Sequence, residues 1–172
     1  MQKVLVVVDY QEDYVRGPLS FSRAPALEEE IIYLIKKYEA EGDEVVFTKT
    51  VHDQDFLIRE TSRFDPTPNC IRGSGGEEFY GHVRELAIAH PIFEKETYGC
   101  AKLFDFLRGR PFSEIALCGI DGTTSVLANA ILAKAACPNT HVKIHRRATL
   151  GPSEEALEAS LRTLFKLHIA IE

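Results

Sequence analysis

Three side chains at separate places in the chain could together perform acyl transfer. Asp9 follows an apolar run, Lys95 lies between two glutamates, and Ser125 ends the segment Gly119-Ile-Asp-Gly-Thr-Thr-Ser125. A carboxylate can act as a general base, an ammonium can hold charge and perturb that base, and a hydroxyl near a helix N-terminus can be a nucleophile beside oxyanion donors. These residue types predict an acyl-transfer site if the fold brings them together.

Each of the three residues also has a purely structural interpretation when it is taken alone. An aspartate at the end of a strand is often a turn or cap residue, and Lys95 could belong to a solvated charged segment. Ser125 could cap or pack a helix. Taken singly, the three residues are weak indications of a catalytic site.

The hydrophobic pattern predicts elements that alternate between strand and helix. Continuous β-branched runs are typical of strands buried on both faces, and spacing of three to four residues is typical of amphipathic helices. The predicted strands are 3–8, 44–49, 92–95, 113–118, 142–145 and 168–171, and the predicted helices are about 25–41, 77–89, 101–107, 123–136 and 153–165. This alternation predicts one domain over residues 1–172, a three-layer α/β/α sandwich with a mostly parallel six-stranded sheet.

Ligands of open α/β sheets bind outside the carboxyl ends of the strands. Asp9 and Lys95 end the first and third predicted strands, and the segment containing Ser125 connects the fourth strand to its helix. The long stretch 51–76, which contains proline and glycine, has little periodicity, and loops of that length inside compact domains usually line sites. The fold therefore predicts that all three residues meet there.

Composition narrows the classes of partner. The 172 residues are 45% hydrophobic, and 20 basic against 26 acidic residues give a formal charge of -6. This balance argues against nucleic acid or an anionic membrane as a partner and favours small molecules. No apolar run approaches the roughly 20 residues of a membrane span, and the sequence does not open as a signal peptide does. We therefore expect a cytoplasmic protein, and we expect its four cysteines, which form no CxxC motif, to be free thiols.

Three segments, in this order, resemble the isochorismatase-like (cysteine) hydrolase family, which includes nicotinamidases. Asp9-Tyr-Gln-Glu-Asp-Tyr14 is similar to the family's D-x-Q-x-D-F opening, and Phe93-Glu-Lys-Glu-Thr-Tyr-Gly99 contains the matching lysine. Leu117-Cys-Gly-Ile-Asp-Gly-Thr-Thr-Ser-Val-Leu-Ala128 resembles C-G-x-x-T-D-x-C-V-x-x-T/N-A. The resemblance implies the fold described above, with Asp9 as general base, Lys95 as the triad lysine and position 125 as the nucleophile.

The same resemblance assigns further positions. Ile120 and Asp121 would flank the family's non-proline cis peptide, and the backbone N–H groups of Asp121 and Ser125 would be the oxyanion donors. Family members are commonly dimers or tetramers, so a homodimer or homotetramer is expected, to which the Ala-rich helix 126–136 could contribute.

Three aromatic residues are candidates for the substrate pocket. Tyr14, Phe56 and Tyr98 could stack on a flat substrate, although packing in the core explains such residues equally well.

Ser125 departs from the family, which usually has a cysteine at that position. A serine hydroxyl is far more basic than a thiol and needs a well-aligned base, so amide hydrolysis should be much slower. Three explanations remain open: an evolved loss or change of chemistry, an engineered replacement of cysteine, and a native serine hydrolase. Gly122 and Thr123 depart as well, because the family usually has a threonine and an acid there.

The resemblance places the metal ligands of nicotinamidase-type members at Thr50, His52 and Asn69. His52 alone keeps a ligating side chain of the family's set, so we expect no metal site and no other cofactor.

Three functions are compatible with these observations. The first is hydrolysis of a C–N bond in a small amide or ureide, and the second is vinyl-ether hydrolysis of the isochorismatase type without a covalent nucleophile. The third is a non-catalytic protein that binds a metabolite in the retained pocket.

Overall fold

A single parallel sheet forms the centre of the computed structural model, which describes residues 2–172. Its strands are β1 (Lys3–Val8), β2 (Glu44–Thr50), β3 (Ile92–Lys95), β4 (Glu114–Gly119), β5 (His141–Thr149) and β6 (Ala170–Ile171). They lie in the order β3-β2-β1-β4-β5-β6, and every neighbouring pair is parallel. The carboxyl ends of all six strands therefore lie along one edge, and β1 is central, as its sequence predicts.

Helices cover both faces of this sheet. They are α1 (Glu12–Val15), α2 (Glu28–Glu41), α3 (Val83–Ala87), α4 (Ala101–Leu107), α5 (Ser125–Ala136) and α6 (Glu154–Lys166), with 3-10 turns at Ala24–Leu27, Phe56–Ile58 and Glu60–Arg63. Leu5 and Val7 pack in the core under α2 and α3, whereas the alternate residues of β1 pack in the core under α4, α5 and α6. The predicted three-layer α/β/α architecture is confirmed.

Two of these helices have ends that the local sequence explains. Gly42 adopts the left-handed conformation, with φ of 74°, and ends α2 where a residue with a side chain would be strained. Ser153 caps α6 by accepting a hydrogen bond from the backbone N–H of Ala156. Both helices carry acidic residues in their first turns, where the helix dipole favours negative charge.

The helix predicted over 77–89 is wrong in its first half, because only Val83–Ala87 is α-helical. Glu77 instead accepts hydrogen bonds from the backbone N–H groups of Gly73 and Gly75. The carbonyl of Glu78 accepts from the N–H of Glu12, and Tyr80 donates to the carbonyl of Tyr10. The hydrogen bonds of Glu78 and Tyr80 hold residues 77–80 beside the segment that follows β1, in a turn and an isolated bridge instead of a helix.

Two further expectations, on membrane-spanning segments and on the cysteines, can be compared with the structure. Across residues 2–172 there is no helix long and apolar enough to cross a membrane. All four cysteines are buried free thiols, as predicted.

Candidate active site

Asp9, Lys95 and Ser125 meet at the carboxyl edge of the sheet, as the strand assignment predicts. The ammonium of Lys95 donates to Asp9 Oδ2 at 2.6 Å and lies 3.5 Å from Ser125 Oγ. All three residues are almost completely buried, with exposures of 0%, 7% and 3%. The site thus contains an ion pair shielded from water, with a hydroxyl beside it.

The charge of Asp9 is compensated by a full set of donors. Thr48 Oγ1 donates to Oδ1 at 2.7 Å, and Thr50 Oγ1 donates to Oδ2 at 3.0 Å, in addition to the ammonium. Thr48 and Thr50 are two residues apart on β2, so their side chains lie on the same face of the sheet. A buried carboxylate needs such partners, because leaving a charge unpaired in the interior costs several kcal/mol.

Lys95 is held by three acceptors that lie closer than Ser125. They are Asp9 Oδ2 at 2.6 Å, Thr50 Oγ1 at 2.7 Å and the carbonyl of Thr97 at 2.9 Å. An ammonium has three protons, so these acceptors use its full donor capacity. Ser125 therefore receives at most a weak contact from Lys95, and within residues 2–172 its own hydroxyl proton has no acceptor.

The backbone of β1 and β4 approaches unusually closely beside Asp9. Gly119, the last residue of β4, has φ of 120°, and a Cβ at this position would lie 2.0 Å from the carbonyl oxygen of Val8. Glycine alone permits this contact. Asp9 itself has φ of 48°, in the left-handed region that residues with side chains rarely adopt.

The loop between β4 and α5, with the first residue of that helix, contains the two backbone N–H groups, of Asp121 and Ser125, that the family resemblance names as oxyanion donors. The peptide bond between Ile120 and Asp121 is cis, and the side chain of Ile120 lies in the core. The loop is fixed by backbone hydrogen bonds, from Gly122 to the carbonyl of Leu150 and from Val126 to the carbonyl of Asp121. Throughout the described chain, the N–H groups of Asp121 and Ser125 have no protein acceptor, so both can donate to a ligand.

The side chain of Asp121 turns back on this loop. Its Oδ1 accepts from the N–H and the hydroxyl of Thr123, at 2.6 and 2.8 Å. Burial raises the pKa of the Asp121 carboxyl, and the hydrogen bonds from Thr123 oppose that rise. Thr123, which replaces the acid usual in the family, thus stabilises the loop by donating two hydrogen bonds to Asp121.

A cavity of about 740 Å³ adjoins the triad. Its wall contains all three aromatic residues named from the sequence, together with two further phenylalanines: Tyr14, Phe56, Tyr98, Phe21 and Phe64. The wall also contains Thr50 and Thr97, which accept hydrogen bonds from Lys95, and Thr124, which precedes Ser125 in the chain. Asp9, Lys95 and Ser125 lie just behind it, so a molecule in the cavity is adjacent to the triad.

The positions of the family's metal ligands do not form a metal site here. Thr50 commits its hydroxyl to Asp9 and Lys95, and Asn69 donates through Nδ2 to the carbonyl of Thr67. Burial and the nearby Lys95 lower the pKa of His52, whose ring packs on Phe56 at 4.7 Å. No cluster of three or more His, Cys, Asp or Glu side chains suited to a metal ion occurs in the described part of the chain.

Two buried amide side chains position the triad and were not identified from the sequence as site residues. Gln11 Nε2 donates to the carbonyls of Thr50 and Glu77, and its Oε1 accepts from the N–H of Thr50. Asn129 accepts from the N–H of Cys100 and donates to the carbonyls of Tyr98 and Ser125. Gln11 occupies the glutamine of the D-x-Q segment and Asn129 lies one helical turn after Ser125, and these spacings were the available signals.

Comparisons with known proteins match almost the whole chain. The family model described as the isochorismatase domain matches residues 3–171. A Bacillus subtilis (strain 168) protein named "uncharacterized isochorismatase family protein PncA" is 28% identical over an alignment of 167 residues, with coverage of 90% of this chain and 90% of that protein.

Two solved structures extend the similarity to the whole fold. The crystal structure of nicotinamidase PncA from Bacillus subtilis is 27% identical, with a TM-score of 0.86 and coverage of 100% of both chains. A pyrazinamidase of Pyrococcus horikoshii, solved in complex with zinc, is 26% identical, with a TM-score of 0.86 and coverage of 100% of this chain and 99% of its own.

Proposed function

Because the chain belongs to the isochorismatase family of hydrolases, we propose that it cleaves a C–N bond of a small amide or ureide, with Asp9, Lys95 and Ser125 at the reacting centre. The observation that carries the proposal is the meeting of the triad with two free N–H groups beside a cavity. Hydrolysis of an amide requires a nucleophile, a base and oxyanion donors, and the proposal assigns these roles to Ser125, Asp9 and the two N–H groups.

The reaction proceeds in two steps. Ser125 Oγ attacks the carbonyl carbon of the amide while its proton passes to Asp9, and the N–H groups of Asp121 and Ser125 stabilise the oxyanion. Asp9 then transfers the proton to the leaving nitrogen, so that a primary amide releases ammonia. Water attacks the resulting ester with Asp9 as base, which releases the acid and restores the Ser125 hydroxyl.

Lys95 positions the base and supplies positive charge in this mechanism. It holds Asp9 through a hydrogen bond of 2.6 Å, and both side chains are buried. Charges act more strongly in such surroundings than in water, so the ammonium also stabilises negative charge that develops at residue 125.

The serine limits the rate. Its hydroxyl proton has no acceptor within the described residues, whereas the mechanism requires transfer to Asp9. A cysteine at this position ionises much more readily than serine, and the neighbouring ammonium would stabilise its thiolate. We therefore expect the Ser125→Cys variant to be the faster amidase.

The substrate class is supported by the cavity and by the relatives. Aromatic side chains on the wall suit a flat ring. The structurally similar proteins are a nicotinamidase and a pyrazinamidase. Aromatic carboxamides are therefore the first substrates to test.

Binding of a metabolite without turnover is the second candidate, and the missing proton acceptor of Ser125 favours it. Vinyl-ether hydrolysis of the isochorismatase type has less support. Its substrate carries two carboxylates, and none of the described residues that line the cavity is a lysine or an arginine.

The deciding experiment measures ammonia release from a panel of small carboxamides and ureides, nicotinamide included. The protein is compared with its Ser125→Cys and Ser125→Ala variants. Release that is fastest for Ser125→Cys and absent for Ser125→Ala supports the proposal. If no variant releases ammonia while a panel compound still raises Tm, the amidase proposal fails and metabolite binding replaces it.

A further inference from the structure

The cavity wall carries acidic side chains without basic ones. Within the described chain, neither lysine nor arginine lines the cavity, whereas four carboxylic acids do: Glu60, Asp65, Glu96 and Asp121. Among the described residues of the wall, His52 is the one histidine, and its ring packs on Phe56. The charged groups that a ligand meets on this wall are therefore negative.

Nearby cations do not cancel this charge. Arg59 pairs with Glu96, but the same guanidinium also contacts Asp53 and Asp55. Glu60 and Asp65 have no basic group within ion-pair distance anywhere in residues 2–172. The N–H of Thr67 donates to Asp65 and holds the pKa of that carboxyl below its usual value, so it is ionised near neutrality.

The triad does not supply free positive charge either. Lys95 forms its ion pair with Asp9 at 2.6 Å, and both side chains are buried. The opposite charges of Lys95 and Asp9 therefore nearly cancel for a ligand in the cavity. Among the described residues of the wall, the exposed charges that a ligand meets are therefore those of Glu60, Asp65 and Glu96.

Aromatic rings on the same wall favour cations for an independent reason. Phe56, Phe64 and Tyr98 line the cavity, and the faces of such rings attract a positive charge within about 6 Å. Phe64 and Tyr98 are largely exposed, so they are accessible to a ligand entering the cavity. The rings and the carboxylates thus both favour a positive charge on the ligand.

We infer that the cavity takes a flat amide that carries a positive charge and discriminates against amides that carry a carboxylate. This inference rests on the proposed function, because it names the substrate class of the same site. The discrimination comes from exposed charges, so salt should weaken it.

Three ring carboxamides of similar shape test the inference: nicotinamide, its N-methylpyridinium analogue, and benzamide with a meta carboxylate. Their Kd values for the protein are measured by calorimetry at low and high ionic strength. At low ionic strength we expect the cation to bind about tenfold more tightly than the anion, with nicotinamide between them, and the difference to shrink with salt. Equal affinities, tighter binding of the anion, or no binding of the cation would overturn the inference.

Variants that remove charge test whether the preference for the cation comes from the carboxylates of the cavity wall. In the combined variant Glu60→Gln and Asp65→Asn, the preference for the cation should fall to a few-fold, because the two unpaired carboxylates are gone. Glu85→Gln, an exposed carboxylate of α3 away from the cavity, is the matched control and should retain it. A preference that survives the combined variant undiminished would also refute the argument.

The two proposals can fail separately. Absence of ammonia release by Ser125→Cys, with the order of affinities retained, would reject the amidase and leave the charge selectivity standing. Turnover of all three carboxamides at equal kcat/KM, together with equal Kd values, would support the amidase and reject the selectivity.

Discussion

Replacing Lys95 by methionine tests whether the buried ion pair sustains the fold as well as the site. The substitution keeps much of the apolar stem but removes the ammonium that lies 2.6 Å from Asp9 Oδ2. Asp9 would keep only the hydroxyl donors Thr48 and Thr50, at 2.7 and 3.0 Å, while remaining completely buried. Removing one partner of a buried pair costs about 3–5 kcal/mol.

The free energy of unfolding, from urea denaturation at neutral pH, measures this cost. Since each kcal/mol shifts the Tm of a domain of this size by about 2–4 °C, we expect a fall of roughly 6–20 °C. Adding Asp9→Asn to Lys95→Met removes the orphaned charge, and the double variant should be less destabilised than the sum of the single variants by about 2 kcal/mol or more. A loss below about 1 kcal/mol for Lys95→Met, as for a pair in water, would refute the assignment of a buried pair.

Two further predictions concern neighbouring polar groups. Thr50→Val should destabilise the fold by about 1–3 kcal/mol, because the Thr50 hydroxyl joins Asp9 to Lys95. Introduced into Ser125→Cys, the same substitution should lower kcat by a larger factor than it raises KM. Unchanged kinetics would show that this hydroxyl is dispensable. Burial, aided by Lys143, lowers the pKa of His145 to about 4 from 6.5. The unfolded chain therefore takes up this proton first, so stability present above pH 6.5 should decline as the pH falls toward 4, by about 1–2 kcal/mol after allowance for partial exposure. Denaturation of His145→Gln across that interval should show a correspondingly smaller decline, and an identical pH profile would contradict the assignment.

The sheet and the meeting point of the triad could be predicted from the sequence. Asp9 and Lys95 end strands, and the carboxyl ends of parallel strands share one edge, so their proximity follows from topology. Ser125 required the family resemblance, because a serine at a helix start has no distinctive pattern of its own. The cavity-lining positions of Tyr14 and Phe56 could not be separated from core packing by composition.

The parts that could not be predicted depend on contacts between distant segments. Residues 77–82 have a helical pattern, but Glu77 accepts a hydrogen bond from the backbone N–H of Gly73. Glu78 and Tyr80 form backbone hydrogen bonds with the segment after β1. Thr50 matches a metal-ligand position of the family, yet its hydroxyl belongs to the Asp9–Lys95 network. Local propensity contains no information on either arrangement, because both are decided by partners far away in sequence.

The loop that presents Ser125 is fixed by its backbone. Ile120, Gly122 and Val126 donate through their N–H groups to main-chain carbonyls, and Gly119 allows the close approach of β1. None of these contacts depends on the side chain at position 125. The side chain at position 125 can therefore be exchanged by a single substitution while these contacts persist, and under the proposed function such an exchange would alter the chemistry without altering the scaffold.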